Sequence, residues 1–161
     1  MMRPVRTRRR VLESLAKAKA LVEVRDENRL QHHALCEAVL HQIDATFLAL
    51  IRQVGDAHGF KPENIGGLDD LVAQLEQRNL VSLEAQRMQT LVTDVEGWWQ
   101  VFRIHFAEVN CPDEMPETTD IERIPLIDHT GLDRLKSERY SEWVEELSDL
   151  VAEFQLKFDE S

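Results

Sequence analysis

Flexible and reactive residue types are scarce in this chain of 161 residues. It has six glycines, five prolines, two cysteines and a single tyrosine. With so few breakers, which cluster between apolar stretches, the chain can form long elements joined by few turns; that argues for helices and against a sandwich of short strands. The cysteines, Cys36 and Cys111, are far apart and neither has a CxxC neighbour, which excludes a zinc knuckle or a thioredoxin-like redox pair. Cys36 lies on a face rich in Leu and Val and is expected as a buried free thiol. Phosphate-binding glycine loops, a nucleophile elbow and HExxH are all missing, which lowers the expectation of an enzyme and names no cofactor. No segment is expected to reach the length of a membrane span. The basic N-terminus resembles a secretory n-region, but Glu13, Lys17, Lys19 and Glu23 interrupt the apolar stretch behind it, so the chain reads as cytoplasmic, with no membrane insertion.

The charge is what the chain does have, and it is uneven. The formal net charge is −11, yet Arg3, Arg6, Arg8, Arg9 and Arg10 crowd the first ten residues with no acid among them. The rest is therefore more acidic than the whole and repels nucleic acid and anionic lipid over most of its surface. Lysine supplies five of the 19 basic residues, a composition suited to a salt-tolerant cell. The arginine cluster lacks interleaved aromatics for base stacking, so no nucleic-acid partner is expected.

Apolar residues recur at three- and four-residue steps throughout. Tyr140, Trp143, Val144, Leu147, Leu150, Val151, Phe154 and Phe158 make one side of a helix, with Glu138, Glu142, Glu145, Glu146, Asp149 and Glu153 opposite. The spacing predicts an all-α, up-and-down bundle of about five helices in one domain, 1–161. The first helix runs from near Thr7 to Val24 on Val11, Leu15, Ala18 and Val22, after a flexible basic tail over 1–6. Asp26 and Asn28 cap a second, long helix to about His58, where Gly59 is the expected C-cap. A turn region with Pro62 and Gly66-Gly67 leads to a short helix that Asn79 ends. Ser82 caps a fourth helix reaching to Pro112, with Met88, Leu91, Val92, Val95, Trp99, Phe102 and Phe106 facing the core and Gly97 set at a close helix contact. Residues 111–130 form one long acidic loop docked on the bundle by Ile121, Ile124, Leu126 and Ile127. The last helix spans about Leu132 to Phe158.

Four places carry a family resemblance: Thr7-Arg8 leading into Leu12-Glu13-Ser14-Leu15; Glu37 followed by Leu48-Ala49-Leu50; Leu68 to Leu71 after the glycine loop; and Trp143 in the final amphipathic helix. In these the chain resembles a domain-of-unknown-function family of short all-helical gammaproteobacterial proteins from Pseudomonas, Halomonas and relatives. The resemblance implies a bacterial, cytoplasmic bundle and brings no catalytic or binding residues.

Three constellations could carry chemistry. His33, Glu37, His41 and Asp44 share one face of the second helix, and imidazole with carboxylate suits a divalent metal. A metal bundle needs ligands from facing helices as well, and no ExxH occurs on another one, so a solvated polar stripe without metal is expected. Arg25 to His32 and Arg123 to His129 resemble the Arg–His spacing of HEPN-type helical RNases, which makes such a nuclease or toxin–antitoxin component the alternative function. Finally, Trp98, Val101, His105 and Val109 form a second strip beside the main stripe of the fourth helix. Adjacent helical residues point about 100° apart, so Trp98 and Trp99 cannot both face one core centre. The strip is covered by the acidic loop or by a partner, and the expected function is a non-enzymatic interaction module that binds a protein partner or itself.

Overall fold

The computed structural model describes residues 5–110 and 135–160, and among them six α-helices and no strand. The fold is an all-α bundle. Its helices are α1 (Val5–Val22), α2 (Arg29–Ala57), α3 (Leu68–Gln77), α4 (Leu83–Thr93), α5 (Trp98–Asn110) and α6 (Ser137–Glu160), with a 3₁₀ turn over Pro62–Asn64. Helix α2 is central, since each other helix and the 3₁₀ turn touch it. Cross-links set the directions. Thr7 donates to Asp56 (2.9 Å) and Arg8 meets Asp159 (2.7 Å), so α1 runs antiparallel to both α2 and α6. Phe47 packs on Trp99 and His41 on Phe106, so α5 also opposes α2. The order α1, α2, α5, α6 is up-and-down, with α3 and α4 inserted between α2 and α5.

Local chemistry sets the helix ends. Asn28 caps α2 by accepting the Gln31 amide (2.9 Å), and Ser82 caps α4 by accepting the Ala85 amide (3.1 Å). Gly59 ends α2 at φ +85°, where the Phe60 amide bonds the Gly55 carbonyl and the Gly59 amide bonds that of Asp56. Asn79 (φ 52°) closes α3 in the same way, through Leu80 to Leu75. On α6 all eight residues of the expected apolar side are buried, each contributing about 1.5–3 kcal/mol of transfer free energy.

Four expectations are corrected. The fourth helix is two helices. Asp94 adopts extended backbone, its Oδ1 accepts the Glu96 amide (3.1 Å) and its carbonyl accepts the Gly97 amide (3.1 Å). Thr90 and Thr93 bond back to carbonyls of their own helix, and Thr and Asp offer the backbone such alternatives to a continuing ladder. Val95, expected in the core, is 82% exposed at this turn. Gly97 serves the turn and not a helix contact, because a Cβ there would lie 2.9 Å from Asp94 Oδ2. The periodicity survives the break since α4 and α5 both pack on α2, with Arg87 reaching Glu153 and Phe102 reaching Trp143 on α6.

Secondly, α1 includes Val5 and Arg6, so Arg6 belongs to a helix and not to a tail. Thirdly, α2 is long and apolar enough to cross a membrane by length and composition, although half of its apolar window is buried in this fold. Fourthly, the last helix, expected from about Leu132, starts at Ser137, since Leu135 and Lys136 are not helical. Residues 1–4 and the loop expected over 111–130, and with them Cys111, Arg123, His129 and Leu132, lie outside the described residues.

Candidate functional site

The polar face of α2 meets α5, and what α5 brings decides its chemistry. His41 stands edge-on to Phe106 at 5.4 Å, and Asp44 takes Arg103 at 3.3 Å. Burial raises the Asp44 carboxyl above its ordinary range, against the opposing pull of Arg103 and His41. His33 is half-buried and Glu37 exposed. The four side chains therefore share a face without converging, and no cluster of three or more His, Cys, Asp or Glu able to hold a metal occurs among the described residues.

The strip on α5 is at the surface edge of the core. Trp98 packs edge-on against buried Trp99 at 5.5 Å, and Trp98, Val101 and Val109 are half-buried against the core. His105 lies 5.6 Å from the Trp143 ring, with Nδ1 3.7 Å from Glu108 Oε2. One turn along from Val101, Ile104 carries the apolar surface outward and is 61% exposed.

Sequence reasoning missed a line of three residues at the start of α2. His32 Nδ1 lies 2.5 Å from Asp26 Oδ2, while its Nε2 lies 2.8 Å from the Leu135 carbonyl and 3.4 Å from Cys36 Sγ. Asp26 read as a capping residue, and the six-residue step to His32 gave no helical-face signal. Carboxylate, imidazole and thiol in this order resemble an activated nucleophile. The thiol here is fully buried, and burial, then the charge of Asp26, pushes it up to about 12, so it stays protonated and unreactive. Both ring nitrogens of His32 are engaged, Nδ1 by Asp26 and Nε2 by the Leu135 carbonyl. The line instead ties the α1–α2 loop to the residues that precede α6.

The arginine cluster divides in two. Arg8 pairs with Asp159 and Arg9 with Glu13 (2.9 Å). Arg6 and Arg10 instead line a cavity of about 380 Å³ between α1 and α2, with Pro62 and Glu63 also in its lining. Ala45, Leu48 and Ala49 give it an apolar wall, Arg52 a third guanidinium, and Thr7 and Asp56 hydrogen-bond across one end. Arg6 and Arg10 sit on α1 and Arg52 about 42 residues later on α2, and no helical pattern pairs it with them.

Fold and surfaces together define an all-α helical-bundle protein with a cationic groove and a half-covered aromatic strip. Comparison with family models, with characterised proteins and with solved structures finds no match.

Proposed function

We propose that this protein is a non-enzymatic helical-bundle module of the bacterial cytoplasm that binds a protein partner, in its most directly testable form a second copy of itself, through the strip of Trp98, Val101, His105 and Val109. The observation that carries the reading is Ile104, which extends these half-buried residues into exposed apolar surface on one side of α5. Aromatic residues with aliphatic neighbours and few charges are what interface centres are made of. Kinship with the gammaproteobacterial domain-of-unknown-function family is part of the same proposal, supported by the four stretches that carry the resemblance.

Sedimentation equilibrium of the wild type, Trp98→Glu and Ile104→Glu tests this surface. Helix content by circular dichroism stays unchanged for Ile104→Glu, and the wild-type dimer dissociates in both variants. A wild type that is monomeric up to about 1 mM, a binding free energy of only about 4 kcal/mol, would overturn self-binding. Fractionation of cells carrying the untagged chain tests the placement, and recovery in the membrane pellet would overturn it.

A further inference from the structure

The groove between α1 and α2 brings together three guanidinium groups in a chain whose net charge is −11. We propose that it binds a small organic anion, a carboxylate or phosphate monoester carried on an apolar body.

The register of the two helices sets up the site. They are antiparallel and joined at Thr7–Asp56, so one turn further along each helix puts Arg10 and Arg52 on the same cavity. Two like charges facing one cavity repel, and an anion between them turns that repulsion into attraction on both sides. Neither Arg6 nor Arg10 forms an ion pair among the described residues, whereas their neighbours Arg8 and Arg9 each do. Arg52 is half-buried, and its Nε donates to the Ile65 carbonyl at 3.0 Å. That bond fixes the plane of the guanidinium and leaves its two terminal amino groups for a carboxylate or phosphate, the forked geometry such oxygens accept best.

The wall and the size define the rest of the ligand. Ala45, Leu48 and Ala49 line the groove, two of them small enough for a ligand to lie close to the α2 backbone. The cavity, about 380 Å³, falls within the range of small-molecule sites, and apolar walls with a few convergent charges are their usual composition. Asp56 and Glu63 add two carboxylates to the same lining, so the three guanidinium groups leave one net positive charge for the anionic head, and Ala45, Leu48 and Ala49 take the apolar body. A bare inorganic anion would leave that wall unused.

Amide chemical shifts of the full chain, titrated with hexyl phosphate, hexanoate, inorganic phosphate and hexylammonium, test the site. Hexyl phosphate or hexanoate produces saturating shifts at residues 6–10 and 45–56, and whichever head group fits better identifies the source of the charge. Inorganic phosphate binds at least tenfold more weakly, and hexylammonium does not saturate. Arg10→Gln is exposed and spares the fold; it and Arg52→Gln each weaken binding at least tenfold with unchanged circular dichroism. Failure of both hexyl anions to saturate by about 10 mM, equal binding of hexylammonium, shifts confined to other residues, or unchanged affinity in Arg10→Gln would each overturn the proposal. The outcome is independent of the α5 strip, which shares no residue with the groove.

Discussion

Gln53 on α2 and Gln155 on α6 exchange two hydrogen bonds, each side-chain amide donating to the other's carbonyl at 2.8 and 2.7 Å, inside the core. The pair lies about six turns along α2 from the His32–Leu135 contact, and the two together hold α2 and α6 parallel and in a single register. A buried polar group costs little while its partner is present and much when the partner is removed. Gln53→Leu is therefore expected to lower unfolding free energy by about 1–3 kcal/mol, because Gln155 is left unsatisfied. Gln53→Leu combined with Gln155→Leu restores most of that loss. Urea denaturation across the full double-mutant cycle measures the coupling, and simple additivity of the two changes would refute it.

Gly55 is the point where the 3₁₀ segment docks on α2. A Cβ there would lie 2.1 Å from Ile65 Cδ1, while the next nearest atom outside that side chain, Leu71 Cδ1, stays at 3.4 Å. Gly55→Ala is expected to destabilise by about 1–3 kcal/mol through overpacking, in spite of the better helix propensity of alanine. Ile65→Val removes the clashing methyl, so the double variant recovers stability relative to Gly55→Ala alone. Thermal melting of the three variants decides it, and failure of Ile65→Val to rescue would show that the strain lies elsewhere.

Ser14 is fully buried on α1, and its hydroxyl has no hydrogen-bond partner among the described residues. Replacing it with alanine removes a desolvated polar atom and improves helix propensity. Ser14→Ala is expected to raise stability by about 0.5–1 kcal/mol, read as a higher urea midpoint at unchanged slope. A loss of stability of that size would mean that the hydroxyl is satisfied in solution.

High pH is expected to weaken the fold through Cys36 and Tyr140. Burial first, and then the charge of Asp26, raises the Cys36 thiol from near 9 to about 12. Burial also raises Tyr140, with smaller contributions from Cys36, Asp26 and Glu138. In both groups the native state keeps a proton that the unfolded chain releases. Stability is then fully present below the unfolded values and falls as pH climbs from about 9 towards about 12. Denaturant midpoints from about pH 8 to about pH 11 trace this fall. Cys36→Ala and Tyr140→Phe each flatten it, whatever they do to stability at neutral pH. A profile equally steep in both variants would assign the loss to other groups.

The sequence by itself determined the helical class, most of the element ends and the buried side of α6. Those properties are local: apolar residues at helical steps, Asn28 and Ser82 with side chains that cap, and Gly59 with no Cβ to oppose a positive φ. It also placed His33, Glu37, His41 and Asp44 on one face, because a helix fixes which residues are neighbours along itself. What it left undecided was what stands opposite. Phe106 and Arg103, brought by α5, make that face a packing surface and an ion pair. The break at Asp94 escaped the periodicity because α4 and α5 continue the same stripe against the same neighbours, so the apolar spacing looks unbroken across a turn. The placing of Arg10 and Arg52 on one cavity, the contact of His32 with the Leu135 carbonyl, and the pairing of Gln53 with Gln155 depend on the register between helices. Register is a property of side-chain packing over the whole core, and no single segment of the chain contains it.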